Sequence, residues 1–471
     1  MIKYYIFNKK IFYLIFILTV NIIFFLSFYP GFFTPDSFDI LNQSFFYKNI
    51  NDAHPILFTL IVSLINFFLK APYSFIIIQI ILFSLTFYFL FNKFKLDKGI
   101  EIVLLFLISF YPPFLFMNIT FWKDVLYTIS FFNFVLIIYF YFNEKIKINK
   151  RISILILFLI FIVLSSRHNG IHSILLFLIF TSILKLSINY KKNLFIILKI
   201  WLYFFISFLI FFSLKNYFFK KYQINSYINK NFLSDNLKFQ IYFFSIPYYL
   251  KNYKNNNINS DSLNKIIPIS ILDDIKFYPY IPDEIIYNDK FNSKMIDKNI
   301  KLINKNFLNY LKDSPNEFLI YFIKNRSFII NPIPFKDEFV FKLRSAPQKI
   351  HSLPKEVCIN FCNLKTSPKI KKLNLFFNKL YEVSFNNSFL ILIWRPAFYL
   401  FLSIIIFIII LKKTNKLESI MFILASISNF LPFSLLITSP DFRYYYINVF
   451  VLFFYLFLFF HKDKKLTQNK F

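Results

Sequence analysis

Long apolar stretches recur along this chain and constrain its fold more than any other feature of the sequence. They lie at 11–29, 75–92, 100–117, 121–142, 152–165, 171–188, 194–214, 389–411, 418–437 and 444–460. A helix of about 20 residues crosses a hydrocarbon core roughly 30 Å thick, and it satisfies its own backbone polar groups there. The sequence therefore predicts an all-α polytopic membrane protein with about ten transmembrane helices.

One shorter apolar run, 56–69, follows His54-Pro55 and suits an interfacial or re-entrant helix better than a crossing. If it does not cross, the basic segments between spans all fall on one side, and counting it as a crossing would spread them over both sides. Basic loops mark the cytoplasmic side of a membrane. We therefore expect a multi-pass protein of the cytoplasmic membrane with both termini in the cytoplasm. Residues 11–29 lack a small-residue cleavage pattern and are predicted to stay as the first span.

This threading divides the chain into three parts. They are an N-terminal transmembrane module, 1–215, with its first outer loop at 30–74; an extracytoplasmic domain, 216–388, inserted between spans seven and eight; and C-terminal transmembrane helices with a cytoplasmic tail, 389–471. Cys358 and Cys362 lie in the outer domain, where a disulfide is permitted, and two thiols are too few for a metal site. The net charge of +30 follows from basic loops and a Lys- and Asn-rich composition, so no nucleic-acid partner is expected.

Polar residues gather at the outer ends of the predicted spans. Acidic residues stand at 36, 39, 124 and 441, and the other polar residues at these ends are Gln43, His54, Lys123, Arg167, His168, Arg395, Arg443 and Tyr444. Each has a purely structural interpretation, such as an N-cap for Asp36 or headgroup contact for Arg167. Ionisable residues within spans are costly, however, and usually mark function. Their shared membrane face favours a functional site.

The combination of a carboxylate with arginines at the bilayer edge indicates a class of substrate. Guanidinium groups bind phosphate oxygens bidentately and stay charged, and a carboxylate can accept the proton of an attacking hydroxyl. Glycosyl transfer from a polyprenyl-phosphate sugar needs both kinds of group.

Several short motifs carry a family resemblance. They are Pro30-Gly31, Pro35-Asp36-Ser37 with Gln43, Asp52-Ala53-His54-Pro55, Trp122-Lys123-Asp124, Arg167-His168-Asn169-Gly170, Ser245-Ile246-Pro247 and Arg443-Tyr444-Tyr445. With these motifs the chain resembles the GT-C superfamily of membrane glycosyltransferases, which includes protein O-mannosyltransferases and aminoarabinose transferases, and it looks closest to a bacterial branch of that superfamily. The resemblance covers most of spans one to six and the last loop.

The resemblance implies roles for individual residues. The superfamily's catalytic Asp, near the end of the first span, maps by motif onto Asp36 as general base. Arg167 and Arg443 would steady the departing phosphate, and the other substrate-binding candidates are Asp39, Gln43, His54, Lys123, Asp124, His168, Arg395 and Tyr444. Several superfamily members hold a divalent metal with an acidic pair in the second outer loop, where only Asp124 stands here. A metal on Asp36 and Asp124 would need water and substrate phosphate as further ligands.

Two other classes of function stay open at this point. One is a polysaccharide polymerase or ligase, or a flippase-like carrier, of a different fold. A carrier predicts Gly- or Pro-broken helices around a mid-membrane path, whereas the polar residues here lie at the outer ends. The other is a catalytically inactive scaffold of glycan assembly. The expected partners of a transferase are membrane lipids, a polyprenyl-phosphate-linked sugar and an extracytoplasmic glycan, lipid or protein acceptor.

Overall fold

A computed structural model of the chain describes residues 2–46, 50, 54–69, 73–143, 146–222, 301, 305, 308–309, 311–326, 328, 331–332, 367–414, 417–436 and 441–462. The elements in these ranges are helices, and the β-pairing in them is an isolated parallel bridge between Phe32 and Thr120. This part of the chain therefore has an all-helical fold.

Ten helices lie in the described residues up to 221. They are α1 (Ile2–Ser27), α2 (Pro35–Phe46), α3 (Ile56–Leu69), α4 (Ser74–Lys93), α5 (Lys98–Phe110), α6 (Pro112–Asn118), α7 (Lys123–Phe142), α8 (Lys150–Ser166), α9 (Gly170–Ile188) and α10 (Tyr190–Lys221). Six more lie in the described C-terminal part: α11 (Pro315–Asn325), α12 (Lys371–Ser384), α13 (Asn387–Trp394), α14 (Pro396–Thr414), α15 (Met421–Leu436) and α16 (Ile447–Phe459). Short 3₁₀ turns, Leu417–Ile420 and Phe442–Tyr445, precede α15 and α16.

Seven of the described helical segments are long and apolar enough to cross a membrane. They are Lys10–Ser27, Ser74–Lys93, Lys123–Phe142, Gly170–Ile188, Asn193–Lys221, Pro396–Lys413 and Phe442–Phe459. The bent pair α5 and α6 supplies an eighth if it is one broken span. By length and composition the chain is a helical multi-pass membrane protein. The two remaining spans of the sequence-based threading coincide with α8 and α15, which have 17 and 16 residues.

Two predicted spans are each interrupted at the residue before a proline. The run 100–117 bends by 46° between α5 and α6, where Tyr111 is extended before Pro112. The run 389–411 is interrupted at Arg395, which is likewise extended before Pro396. A proline excludes the helical conformation at the residue before it and lacks the N–H for a helical bond, so each apolar run becomes two helices.

The helix interfaces are filled by aromatic rings. The ring of Phe114 in α6 lies 5.0 Å from that of Phe83 and 5.2 Å from that of Phe87, both in α4. It also lies 5.2 Å from Phe450 and 4.9 Å from Phe453 in α16. With only three glycines in the chain, close small-residue seams are scarce, and tilted or edge-to-face ring contacts fill the interfaces instead.

The loop after α1 pairs with the loop before α7. Phe32 N–H donates to the Ile119 carbonyl at 2.9 Å, and Phe121 N–H donates to the Phe32 carbonyl at 2.8 Å. The pairing depends on Gly31, whose φ of +106° favours glycine. A Cβ there would lie 2.5 Å from Ile76 Cδ1 and 2.8 Å from the Ile119 carbonyl oxygen. The first loop is thus locked against the start of α7.

The predicted extracytoplasmic domain falls largely outside the described residues, and so do Cys358, Cys362 and the Ser245-Ile246-Pro247 motif. Of its C-terminal part, α12 packs on the end of α1. Asn374 Nδ2 donates to the Ser27 carbonyl at 2.8 Å, and the ring of Phe377 lies 4.8 Å from that of Phe24. Residues near the predicted boundary at 388 therefore contact the transmembrane module directly.

Candidate functional site

Four segments that are distant in sequence meet at one end of the helix bundle. They are the start of α2, the start of α7, the turn between α8 and α9, and the 3₁₀ turn before α16. Asp36 pairs with Arg443 across 407 positions, and Arg167 pairs with Asp124. We call Asp36, Asp124, Arg167, Asp441, Arg443 and Tyr444 the arginine network.

Arg443 is the centre of this network. Its Nη1 lies 2.9 Å from Asp36 Oδ2, and its Nε lies 2.8 Å from Asp441 Oδ2. Its Nη2 donates to the Tyr444 hydroxyl at 2.9 Å, and its guanidinium lies 5.0 Å from the Trp122 ring. Asp441 also accepts the backbone N–H of Arg443 at 3.0 Å, which fixes the start of the turn. Charge-assisted bonds of this kind hold the guanidinium in one orientation.

Arg167 forms the second half of the network. It is paired with Asp124, and both side chains are buried. Its guanidinium lies 4.7 Å from the Tyr444 ring, so this ring contacts both arginines. The tight turn that presents Arg167 requires Gly170, because a Cβ there would clash with the Val163 carbonyl oxygen. A buried ion pair is costly to desolvate and adds little stability, which favours a functional reason for it.

A second set of contacts, the lysine–histidine chain, adjoins the network. Lys123 Nζ lies 3.0 Å from His54 Nδ1, and His54 Nε2 lies 3.4 Å from Asp39 Oδ2. Gln43 Nε2 donates to the same Asp39 oxygen at 2.9 Å. Lys123 and Asp124 are adjacent on α7, so the helix directs one into the chain and the other into the network.

The start of α2 is capped by Thr34 and not by Asp36. Thr34 Oγ1 accepts the backbone N–H of Ser37 at 3.4 Å and the Trp122 indole N–H at 2.8 Å. Ser37 Oγ donates to the Phe121 carbonyl at 2.6 Å, which anchors the helix on the α6–α7 loop. Since the cap is supplied by Thr34, the Asp36 carboxylate is directed to Arg443.

The carboxylates and the imidazole outside the spans have displaced pKa values. Burial would raise the pKa of Asp36, but the charges of Arg443 and Lys123 bring it well below its ordinary value, so this carboxylate stays ionised. Burial raises the pKa of Asp39. Burial, helped by the Lys123 charge, lowers the pKa of His54 to about 3, which keeps the imidazole neutral. Burial raises the pKa of Asp441 to about 6 despite the Arg443 charge.

The structure brings nine of the sequence-predicted residues into two groups and places His168 and Arg395 separately. Asp36, Asp124, Arg167, Arg443 and Tyr444 lie in the arginine network, and Asp39, Gln43, His54 and Lys123 lie in the lysine–histidine chain. His168 is half-buried in the turn after Arg167. Arg395 contacts a different segment: its Nε donates to the Asn331 carbonyl at 2.5 Å, and its guanidinium is 5.9 Å from the Phe328 ring. These contacts place Arg395 beside the segment after α11.

The sequence placed Asp441 with the other outer-end acidic residues but gave it no role, and it gave no site role to two supporting residues, Tyr127 and Asn429. Tyr127 donates to Asn429 Oδ1 at 2.9 Å, and Asn429 Nδ2 donates to the Tyr444 carbonyl at 2.8 Å. Tyr127 lies one turn after Asp124 on the same helix face, and Asn429 is a polar residue in an apolar helix. Both signals are readable in the sequence.

The described residues do not fit a divalent metal. No group of three or more His, Cys, Asp or Glu in this part of the chain is arranged to hold one. Asp36 faces the Arg443 guanidinium, and Asp124 faces that of Arg167. A hard cation needs several oxygen ligands, and these guanidinium charges would repel it.

Fold and site together define a multi-pass helical protein with a charged, partly exposed cluster at one end of the bundle. Comparisons of the chain with protein-family models, with curated proteins and with solved structures give no match. The GT-C resemblance therefore depends on the quoted motifs alone.

Proposed function

We propose that this protein is a GT-C-type glycosyltransferase that moves a sugar from a polyprenyl-phosphate-linked donor to an extracytoplasmic glycan, lipid or protein acceptor. One observation carries the proposal. Two arginines share the Tyr444 ring, and one of them also holds the ionised carboxylate of Asp36, which is 36% exposed. Arg443 could thus bind a phosphate beside the Asp36 carboxylate that accepts a proton.

The charges of the site without substrate would allow a donor phosphate to replace a carboxylate as the partner of an arginine. Three carboxylates, Asp36, Asp124 and Asp441, face three cations, Lys123, Arg167 and Arg443. A donor phosphate would compete with Asp36 for the Arg443 guanidinium, which binds phosphate bidentately. When Arg443 turns to the phosphate, Asp36 loses the largest of the charges that lower its pKa and becomes a stronger base. Binding of the donor would therefore raise the pKa of Asp36 and make it a better proton acceptor.

The transfer step then follows from these positions. The acceptor hydroxyl oxygen attacks the anomeric carbon of the sugar, and its proton passes to the Asp36 carboxylate. The bond between the anomeric carbon and the phosphate oxygen breaks, and the leaving polyprenyl phosphate keeps the electron pair. Arg443 and Arg167 stabilise that developing charge.

The ten-span threading would place this site on the extracytoplasmic side of the bacterial cytoplasmic membrane. It counts α8 and α15 as crossings; helices of 16 or 17 residues reach across a locally thinned bilayer at a modest cost in free energy. Both termini and the basic loops then lie in the cytoplasm. The domain at 216–388 lies outside, where acceptor recognition is its role by analogy with the superfamily.

Complementation of a gene deletion tests the proposal. We expect the deletion strain to lose one component of its cell-surface glycan profile, the wild-type gene to restore it, and Asp36→Asn to fail. Asp97→Asn is the matched control, because Asp97 pairs with Lys462 away from the site. Restoration by Asp36→Asn would favour the scaffold alternative, and an unchanged profile in the deletion strain would refute the transferase.

A further inference from the structure

We propose that His54 is a positioning residue that holds the Lys123 ammonium toward the donor phosphate, with Asp39 fixing the imidazole tautomer that this requires. Lys123 would be the third phosphate-binding cation of the site, beside Arg167 and Arg443. The inference rests on the proposed function.

The contacts of the lysine–histidine chain select one tautomer of His54. A lysine ammonium has three N–H donors and no acceptor. Lys123 Nζ lies 3.0 Å from His54 Nδ1, so with Lys123 in its ammonium form that nitrogen is the unprotonated acceptor. The ring proton is then on Nε2, which faces Asp39 Oδ2 at 3.4 Å. Gln43 holds the same carboxylate oxygen at 2.9 Å, so the orienting group is itself held.

A neutral partner leaves the charge of Lys123 available to a substrate. The carboxylates of Asp36 and Asp124 are close enough to interact with the ammonium. Either would neutralise it in a direct ion pair, whereas the imidazole holds it without cancelling its charge. An ammonium in the first turn of α7 is also unfavourable with the helix dipole, so it needs a fixed partner to stay in this position.

The environment of His54 argues against two other roles. Its side chain is 12% exposed, and burial together with the Lys123 charge lowers its pKa to about 3. A neutral imidazole is not itself a cationic phosphate ligand at neutral pH. Its Nδ1 already accepts from Lys123 and its Nε2 faces Asp39, so neither ring nitrogen is directed to a substrate proton. Holding Lys123 is the role that agrees with both facts.

Two amide substitutions separate the two ring nitrogens. In His54→Asn the side-chain oxygen can occupy the position of Nδ1 and accept from Lys123, whereas in His54→Gln the amide reaches the position of Nε2 and loses that bond. The probe is farnesyl phosphate, with farnesol as the uncharged control, binding to the full-length protein in nanodiscs. We expect His54→Asn to bind farnesyl phosphate about as wild type does, and His54→Gln to bind it roughly 10- to 100-fold more weakly, the loss typical of a hydrogen bond to a charged group. Farnesol binding should not change.

Lys123→Gln supplies an independent measurement. If His54 acts through Lys123, Lys123→Gln weakens binding of the probe, and the loss in the double variant with His54→Gln is less than the sum of the two single losses. In sugar-transfer assays His54→Gln should raise KM for the donor with little change in kcat. A proton-transfer role would lower kcat in both amide variants, because amides carry no proton.

The outcomes distinguish this inference from the proposed function. Wild-type protein that binds farnesyl phosphate no better than farnesol would refute the donor class and the inference together. Wild-type binding with unchanged affinity in His54→Gln would refute the inference alone. Equal loss in His54→Asn and His54→Gln at unchanged thermal stability would also refute it, because the Nδ1 acceptor would then not matter. Additive losses for His54→Gln and Lys123→Gln would do the same.

Discussion

Asp36→Asn gives the sharpest test of the transferase proposal, because its structural and chemical effects differ greatly in size. The side chains of Asp36 and Arg443 are 36% and 16% exposed, and Arg443 keeps Asp441 as a partner when Asp36 is replaced. Loss of the pair should therefore cost about 1 kcal/mol of stability, the upper end of the range for solvent-accessible pairs. The cap of α2 is Thr34, so no capping bond is lost. Loss of a general base lowers rates by about 10²- to 10⁴-fold, or roughly 2.7 to 5.4 kcal/mol of barrier. Transfer should collapse while the protein stays folded.

The measurement needs both transfer activity and membrane abundance, so that a chemical defect is separated from a folding defect. Asp39→Asn is the matched control on the same helix: its side chain is also 36% exposed, and its amide can still accept from Gln43. We expect Asp39→Asn to be the milder of the two. If Asp36→Asn transfers sugar at a rate near that of wild type, the base assignment is wrong and Asp124 becomes the next candidate.

Three further predictions address topology, the first loop and pH. A reporter fused after Lys98 should be cytoplasmic and one after Pro72 extracytoplasmic; an external signal at Lys98 would make α3 a true crossing. Gly31→Ala should destabilise the protein by about 1–3 kcal/mol from backbone strain alone. Gly99→Ala is the control and should not destabilise it, because a Cβ at Gly99 would meet nothing within 4 Å. Thermal unfolding in detergent measures both, and equal unfolding temperatures for the two variants would contradict the prediction. Burial raises the pKa of Asp441 to about 6, and above that pH its carboxylate competes with a phosphate for Arg443. Asp441→Asn should therefore bind farnesyl phosphate more tightly than wild type above pH 6 and about equally well below it, where wild-type Asp441 is protonated and uncharged. Identical pH profiles of the two proteins would contradict this assignment.

The apolar pattern predicted the helices well where no proline interrupted them. The runs 75–92 and 56–69 became α4, Ser74–Lys93, and α3, Ile56–Leu69. The breaks at Tyr111 and Arg395 were missed because apolar residues continue on both sides of each proline. Hydropathy averages over a window, whereas a proline acts on the single residue before it.

The partners within the site could not be predicted in the same way. Lys123 and Asp124 are neighbours in the sequence, but adjacent helical residues do not face each other, and each has its partner on another segment. Arg395 and Arg443 carried similar sequence signals, since each lies at the outer end of a predicted span. Only the packing of α13, α14 and α16 separates them, and that depends on long-range contacts.

The backbone pairing of Phe32 with residues 119–121 makes the conformation of the first loop depend on the loop before α7. Asp36 lies just after one side of this pairing, and Lys123 lies just after the other. A chimera that takes residues 30–46 from another protein would keep α2 but would lose the fit between Gly31 and the residues packed against it, Ile76 and Ile119. A chimera of this kind should therefore fold only when residues 118–123 are transplanted together with the first loop.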